Sequence, residues 1–220
     1  MDNKLNLERR LLPAQMPVSP YATQTPAGHP FSIPPWNYLG SEGLDFIETS
    51  YAATVVDWIL VSFRTSISKS SEIAKTAALL HQNGTVEWVA TCPLRAFEGQ
   101  ALYVVVEHRF HVGIMTSEPV IVENSTLTFD FTETDTYRDL TSFGQKELIT
   151  NVWGMFTGDA DQLSDIMSYD INGTDNIRFS GSNGLFDVYD SADFNLDGDI
   201  SLRDKILWFN NLGVTSRVPK

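Results

Sequence analysis

The twelve-residue segment DFNLDGDISLRD, residues 193–204, constrains this chain more tightly than any other stretch. Oxygen-bearing side chains fall at alternate places, Asp193, Asn195, Asp197, Asp199 and Ser201, and Asp204 ends the run. Alternate side chains can meet at one centre only if the backbone curls. Gly198 occupies the sixth place, where a sharp turn would drive a Cβ into the backbone. A hard cation that takes six to eight oxygens at about 2.3–2.6 Å asks for this arrangement. The pattern therefore predicts a calcium loop. Asp193, Asn195 and Asp197 would offer side-chain oxygens, and Asp199 its backbone carbonyl. Ser201 would act directly or through a water. Asp204 would close the sphere from the first turn of a helix formed by RDKILWFNNLG, with Ile200 packing the loop.

The acids around this loop carry the same message. From residue 157 onward every acidic residue is Asp and none is Glu. A solubilising surface would mix both, whereas short carboxylates at close spacing suit cation loops. An upstream copy begins in GDADQLSDIMSYDINGTDNIRF, with Asp159 and Asp161 at the first and third places. Strict spacing then puts Leu163 and Ser164 at the fifth and sixth, Asp165 at the seventh, Ile166 at the eighth and Asp170 at the twelfth. Matching TDNIRF to RDKILW as helix starts nominates Asp175 for the twelfth place instead, with DINGT as a five-residue insertion. The segment is read as a degenerate, expanded EF-hand-like loop with a second calcium site, its eighth-place residue meeting that of its partner. A unit of about 60 residues with so few apolar side chains has a thin core, and bound metal would supply much of its stability.

The rest of the chain reads as β structure. VVDWILVSFR, AKTAALL, TVEWV, ALYVVVEHR, EPVIVE and STLTFDFT are strand-like runs, and Asn83-Gly84 between two of them is a strong hairpin signal. Leu127, Phe129 and Phe131 alternate with polar residues. Strands at this spacing without helical patterns between them predict an antiparallel, Ig-like β-sandwich over 44–132. Residues 1–43 are Pro-rich, excluded from helix, and carry Tyr21, Phe31, Trp36 and Tyr38, so they are expected as an extended segment packed on the sandwich. Residues 133–150 read as a linker, and 151–220 as the calcium module. Trp153, Met155 and Phe156 precede its first ligand and are expected to be buried between the two units, making them one rigid body.

Net charge of −13 argues against nucleic acid and anionic membranes, which reward clustered Lys and Arg. No apolar run reaches the roughly 18 residues of a membrane span. The lone Cys92 excludes an internal disulfide and a Cys-based zinc site, and reads as a small core or loop residue. His108 and His111 read as structural: three residues apart on a strand they would face opposite ways, with no acidic partner at useful spacing. No nucleophile elbow occurs, the dense acidic clusters are accounted for by calcium, and Trp58, Trp88, Trp153 and Trp208 read as core rather than a sugar platform. The chain is read as non-catalytic.

Taken together, the two-loop region resembles a type I dockerin, whose repeats end on Asp where sensor hands carry Glu. VVDWILVSFRTS, KTAALLHQNGTVEW, YVVVEHRFHVGIMTSEPVIV, WGMFTGDADQ and DFNLDGDISLRDKILWFNNLGVTSRVP follow in order the β-sandwich and dockerin-like pair at the ends of large secreted, haemagglutinin-like Bacteroidetes surface proteins. The resemblance implies a piece or mature form of a larger exported protein, cell-surface or extracellular, and an adhesion or assembly role. Its partner would be a protein or another domain of the same parent. Two alternatives from other classes stand beside it: a carbohydrate-binding module contacting polysaccharide, and a true dockerin joining a lost catalytic region to a cohesin-like partner.

Overall fold

The structure, a computed structural model, describes residues 28–43, 51, 52, 54–91, 93–132, 136–138, 144–162 and 169–219. Tyr21, Cys92, Leu163, Ser164, Asp165 and Ile166 therefore lie outside the described residues. The described chain is mainly β with a small α part. Eight strands come first: β1 (Val55–Arg64), β2 (Glu72–His81), β3 (Val86–Trp88), β4 (Ala101–Glu107), β5 (Ile114–Met115), β6 (Val120–Ile121), β7 (Lys146–Ile149) and β8 (Val152–Gly154). Two helices follow, α1 (Gly173–Ser182) and α2 (Leu202–Asn210). The main sheet is antiparallel, in the order β3-β2-β1-β4-β5, with β6 beside β4; β7 and β8 form a separate hairpin.

Its centre is β1, whose ten residues are all buried. β-Branched and aromatic side chains suit a pleated surface packed on both sides. Ile59, Val61 and Phe63 point one way, with Ala78 and Leu80 of β2 and Leu102, Val104 and Val106 of β4. Trp58 and Leu60 point the other way, with Ala77 and Leu79. That second face is covered by residues 28–43, where Phe31 and Trp36 are buried against it and Tyr38 packs at its border. Asn83 shapes the β2–β3 turn, its Oδ1 accepting from the Thr85 amide at 3.1 Å and the Thr85 hydroxyl at 2.7 Å.

Two segments differ from expectation. Residues 126–131 are not a regular strand, yet the alternation survives as burial: Leu127 and Phe131 are buried and Thr128 is exposed. Hydrophobic spacing set which side chains turn inward, while regular pairing in this run is limited to isolated bridges such as Glu123 with Thr126. The expected linker is not wholly a connector either. Lys146–Ile149 pairs with Val152–Gly154 across Asn151, whose φ of 61° makes the tight reversal. Gln145 is buried beneath it, accepting from the Thr136 hydroxyl at 3.1 Å and donating to the Phe131 carbonyl.

The inward face of the sheet and the C-terminal region share one hydrophobic cluster. Phe110, Val112 and Ile114 belong to it, and so do Met155, Ile171, Phe179, Phe194, Ile200 and Trp208. Met155 is fully buried and Phe156 packs against the cluster, while Trp153 is half-buried on β8. Met155→Ala is expected to cost about 2–5 kcal/mol of stability. In urea, the sheet and helix signals of the variant are expected to fall in one transition at lower denaturant; two separate transitions would show that the cluster does not unify the chain.

Candidate metal centre

Each helix begins with the same device. Asn172 caps α1, its side chain accepting from the Thr174 amide at 2.6 Å, and Asp175 at the third helical place accepts from the Asn172 amide at 2.7 Å. Ser201 caps α2 in the same way, accepting from Arg203 at 3.2 Å, and Asp204 accepts from the Ser201 amide at 2.8 Å. These are reciprocal capping boxes, which satisfy amides that a helix start leaves without partners. The second oxygen of each Asp then reaches back into its loop. Asp175 Oδ1 accepts from the Asp161 amide at 3.0 Å, and Asp204 Oδ1 from the Asn195 amide at 3.1 Å.

The two halves therefore correspond in hydrogen-bond role and spacing: Asp159 with Asp193, Asp161 with Asn195, Ile171 with Ile200, Asn172 with Ser201, Asp175 with Asp204 and Phe179 with Trp208. This register corrects the strict spacing. Asp175, not Asp170, stands at the twelfth place; Asp170 matches Asp199, and its carboxylate accepts from Asn172 Nδ2 at 3.0 Å. The extra residues fall between Asp161 and Asp170 rather than in DINGT, and Ile171 takes the eighth place that spacing gave to Ile166. The eighth-place residues do not pair with each other. Ile171 donates to Val214 and accepts from Gly213, both at 2.8 Å. Ile200 donates to Leu185 at 2.9 Å and accepts from Gly184 at 2.8 Å. Each loop is thus tied to the segment that follows the other loop's helix.

The degenerate upstream loop holds the tighter acidic cluster. Asp159, Asp161 and Asp175 are all buried, and each offers a carboxylate oxygen within 4.8 Å of the other two. In the second loop Asp193, Asn195 and Asp204 are buried and Asp197 is exposed. Asp193 gathers the Asp197 amide at 3.1 Å and the Gly198 amide at 2.9 Å; Asn195 Oδ1 takes the Asp197 amide at 2.8 Å; Asp197 takes the Asp199 amide at 3.0 Å. The curl these bonds describe needs Gly198 at φ 84°. Gly158, at φ 124°, lies against α2 so closely that a Cβ would sit 3.3 Å from the Trp208 Cα. Ser201 caps its helix, and the Asp199 carboxylate accepts from the Asp187 amide at 3.3 Å. All-oxygen donors with converging carboxylates fit a hard cation such as calcium.

Burial and neighbouring acids perturb these groups. Burial, then Asp161, pushes Asp175 up to about 7. Burial raises Asp193 to about 7 with Asp204 and Asp197 adding to it and Arg109 opposing, and burial raises Asp204 to about 6.

A second polar cluster lies between β1 and the loops, and sequence reading missed it. Asp57 is fully buried. Its Oδ2 accepts from His108 Nε2 at 3.0 Å and Arg109 Nε at 2.9 Å; its Oδ1 accepts from the Trp58 amide at 2.7 Å and the Tyr189 hydroxyl at 2.6 Å. Arg109 also donates to the Asp190 carbonyl and stacks 3.9 Å from the Tyr189 ring centre. His108 does have an acidic partner, Asp57, 51 residues before it, and His111 meets His108: their Nδ1 atoms are 2.8 Å apart because the chain leaves β4 after Glu107. Both rings are fully buried, a structural placement. Burial works against ionised Asp57, but Arg109 and His108 hold its carboxyl well below the usual carboxylate range; burial lowers His108 despite Asp57. The available signal was a lone Asp in an apolar central strand, since a buried carboxylate demands partners.

No protein-family model and no curated protein matches the sequence. Two solved structures are similar to it. One is an N-terminal interface mutant of a type II cohesin–X-dockerin complex from Acetivibrio cellulolyticus, 17% identical over 72% of this chain and 82% of that one, with a TM-score of 0.40. The other is a C-terminal interface mutant of the same type of complex and organism, 16% identical over 71% and 82%, with a TM-score of 0.41. Likeness at this level transfers neither partner nor ligand to this chain.

The raised carboxyls set a pH dependence for the chelated protein. A group raised on folding stabilises fully below its unfolded value, near 3.9 for Asp, and loses that contribution as pH climbs through its folded value. Asp175, Asp193 and Asp204 therefore predict falling stability from about pH 4 to pH 7 in chelator. His108 opposes them, since a depressed His favours folding as pH rises toward about 6.5. Thermal melts across this range check the sign: three carboxyls are expected to outweigh one imidazole, and added calcium, which displaces their protons, is expected to remove the fall.

Proposed function

We propose that this chain is a non-catalytic, calcium-stabilised protein-interaction module in which an Ig-like β-sandwich and a dockerin-like pair of loop–helix motifs form one rigid body. The single observation that carries the calcium reading is the buried convergence of Asp159, Asp161 and Asp175 in a loop related by role to 193–204. Asp159, Asp161, Asp175 and the Asp170 carbonyl would hold one ion. Asp193, Asn195, Asp197, the Asp199 carbonyl, Ser201 and Asp204 would hold the other. The ions would neutralise clustered acids and hold both helix starts in register.

The docking face would lie on the helices. Ile177 and Ile206 sit at equivalent places, two residues past the capping Asp, and are 70% and 50% exposed. Leu202 and Phe209, 68% and 67% exposed, extend the α2 stripe along one side of the helix. Grouped apolar exposure of this kind marks a protein-binding surface. Among the described large apolar residues the exposed aromatics are Phe186 and Phe209, both in this region rather than on the sheet, which favours a protein partner over polysaccharide. Among the described residues no helix is long and apolar enough to cross a membrane. An exported, cell-surface or extracellular setting, with the partner a separate protein or another part of the same parent, completes the proposal.

Calorimetric titration of chelator-treated protein is expected to show two calcium sites. Replacing both Asp193 and Asp197 by Ala should remove one, and Asp175→Asn should weaken the other. Calcium at a hundredfold excess over Kd should add about 2.7 kcal/mol per site that binds only the folded state. No heat and no change in melting temperature would end the calcium reading.

A further inference from the structure

We propose that Arg109 is a positioning residue for the cation of the second loop, and that the turn it belongs to sets the first ligand of both loops. This rests on the calcium reading above and assigns a control element to it that lies outside the loops. The turn begins where β4 ends at Glu107 and runs into the wedge between the sheet and the C-terminal region. Two consecutive residues in it reach two different loops. The Phe110 carbonyl accepts from the amides of Gly158 and Asp159, each at 3.1 Å, and Asp159 is the first ligand of the upstream loop. Arg109 Nη1 donates to the Asp190 carbonyl, and that same oxygen accepts from the amide of Asp193, the first ligand of the downstream loop, at 3.3 Å.

Arg109 is rigidly held for this task. Its Nε is bound to Asp57 at 2.9 Å, its guanidinium carbon lies over the rings of Tyr189 and Phe110 at 3.9 and 4.4 Å from their centres, and it is buried. A planar fork can bond Asp57 through Nε while Nη1 reaches the Asp190 carbonyl. A Lys ammonium is a single point and cannot span both in that geometry. A cross-link joins the loops at the same level: Thr157 Oγ1 donates to the Phe194 carbonyl at 3.0 Å, one residue past Asp193. Partners outside the coordinating set orient the ligands, and their loss costs about 10- to 100-fold in metal affinity in other metal sites.

Charge and position make opposite forecasts here, which makes the inference testable. Arg109 is a cation near Asp193, so removing its charge alone would tighten calcium binding; losing its grip on Asp190 would weaken it. Calcium titrations of Arg109→Lys and Arg109→Met in the full chain separate the two. Both variants are expected to weaken one of the two sites about tenfold or more and leave the other within a fewfold. An Arg109→Lys protein that titrates like the unaltered chain, or an Arg109→Met protein that binds more tightly, overturns the proposal. Tyr189→Phe removes the hydroxyl bond to Asp57 but leaves the Arg109–Asp190 bond, so it is expected to lower the melting temperature with unchanged calcium affinities. Equal weakening in that variant would assign the effect to general loosening and overturn the proposal. In the unaltered chain, the Arg109 Nε–H resonance is expected to shift in step with occupancy of the second site, and a resonance indifferent to calcium overturns the proposal even where neither arginine variant folds. Unaltered protein that binds no calcium would remove the calcium reading itself, whereas normal binding with an indifferent Arg109→Lys would remove this inference alone.

Discussion

The ionised carboxylate of Asp57 is the constraint around which the two halves of this chain are organised. A carboxylate withdrawn from water costs several kcal/mol unless its oxygens are matched by donors. Asp57 meets four, from Trp58 beside it, His108 and Arg109 at the end of β4, and Tyr189 from the segment before the second loop. Only the last comes from the C-terminal region, and it comes with Arg109 stacked on it and bonded to Asp190. The buried charge of the central strand thus gains its fourth donor only with the loop region in place. Apolar burial supplies the bulk of the attraction between the halves, and this polar joint supplies the register.

Register matters because the loop–helix pair is built by exchange. Each loop's inner Ile bonds the chain that follows the other helix, so neither half is complete alone. The capping Asp of each helix serves two ends: it closes the helix start and draws the third-place amide of its loop toward the same centre. One carboxylate does both tasks in each half, Oδ2 bonding the cap amide and Oδ1 the loop amide, which accounts for the parallel placement of Asp175 and Asp204. It also accounts for the tolerance of extra residues in the upstream loop. The ends that matter, Asp159 with Asp161 and Ile171 with Asp175, are fixed by the Phe110 carbonyl, by Gly213 and Val214, and by the cap, so added length between them can be accommodated.

Much of this was legible in the residues. Apolar, β-branched runs located β1, β2 and β4, and Asn83-Gly84 located a turn, because local propensity and burial agree there. The downstream loop was legible because every place in it has a local job. The upstream loop was readable in its residues but not in its register: counting assumes an uninterrupted loop, whereas the cap at Asn172 and Asp175 decides where the helix begins. The β7–β8 hairpin was missed because KELI and VWG are short and their alternation is weak. Least legible was the Asp57 joint. Its members are separated by 51, 52 and 132 residues, and no local pattern encodes such pairings. The visible sign was a single charge inside an otherwise apolar strand.

If the buried acids of the two loops converge on cations as proposed, the chain is a two-ion calcium protein. Native mass spectrometry of the intact chain, exchanged from chelator into calcium, tests it most directly. The predicted spectrum shows two calcium ions retained per chain, lost again when chelator is restored; a chain that retains fewer than two would contradict it.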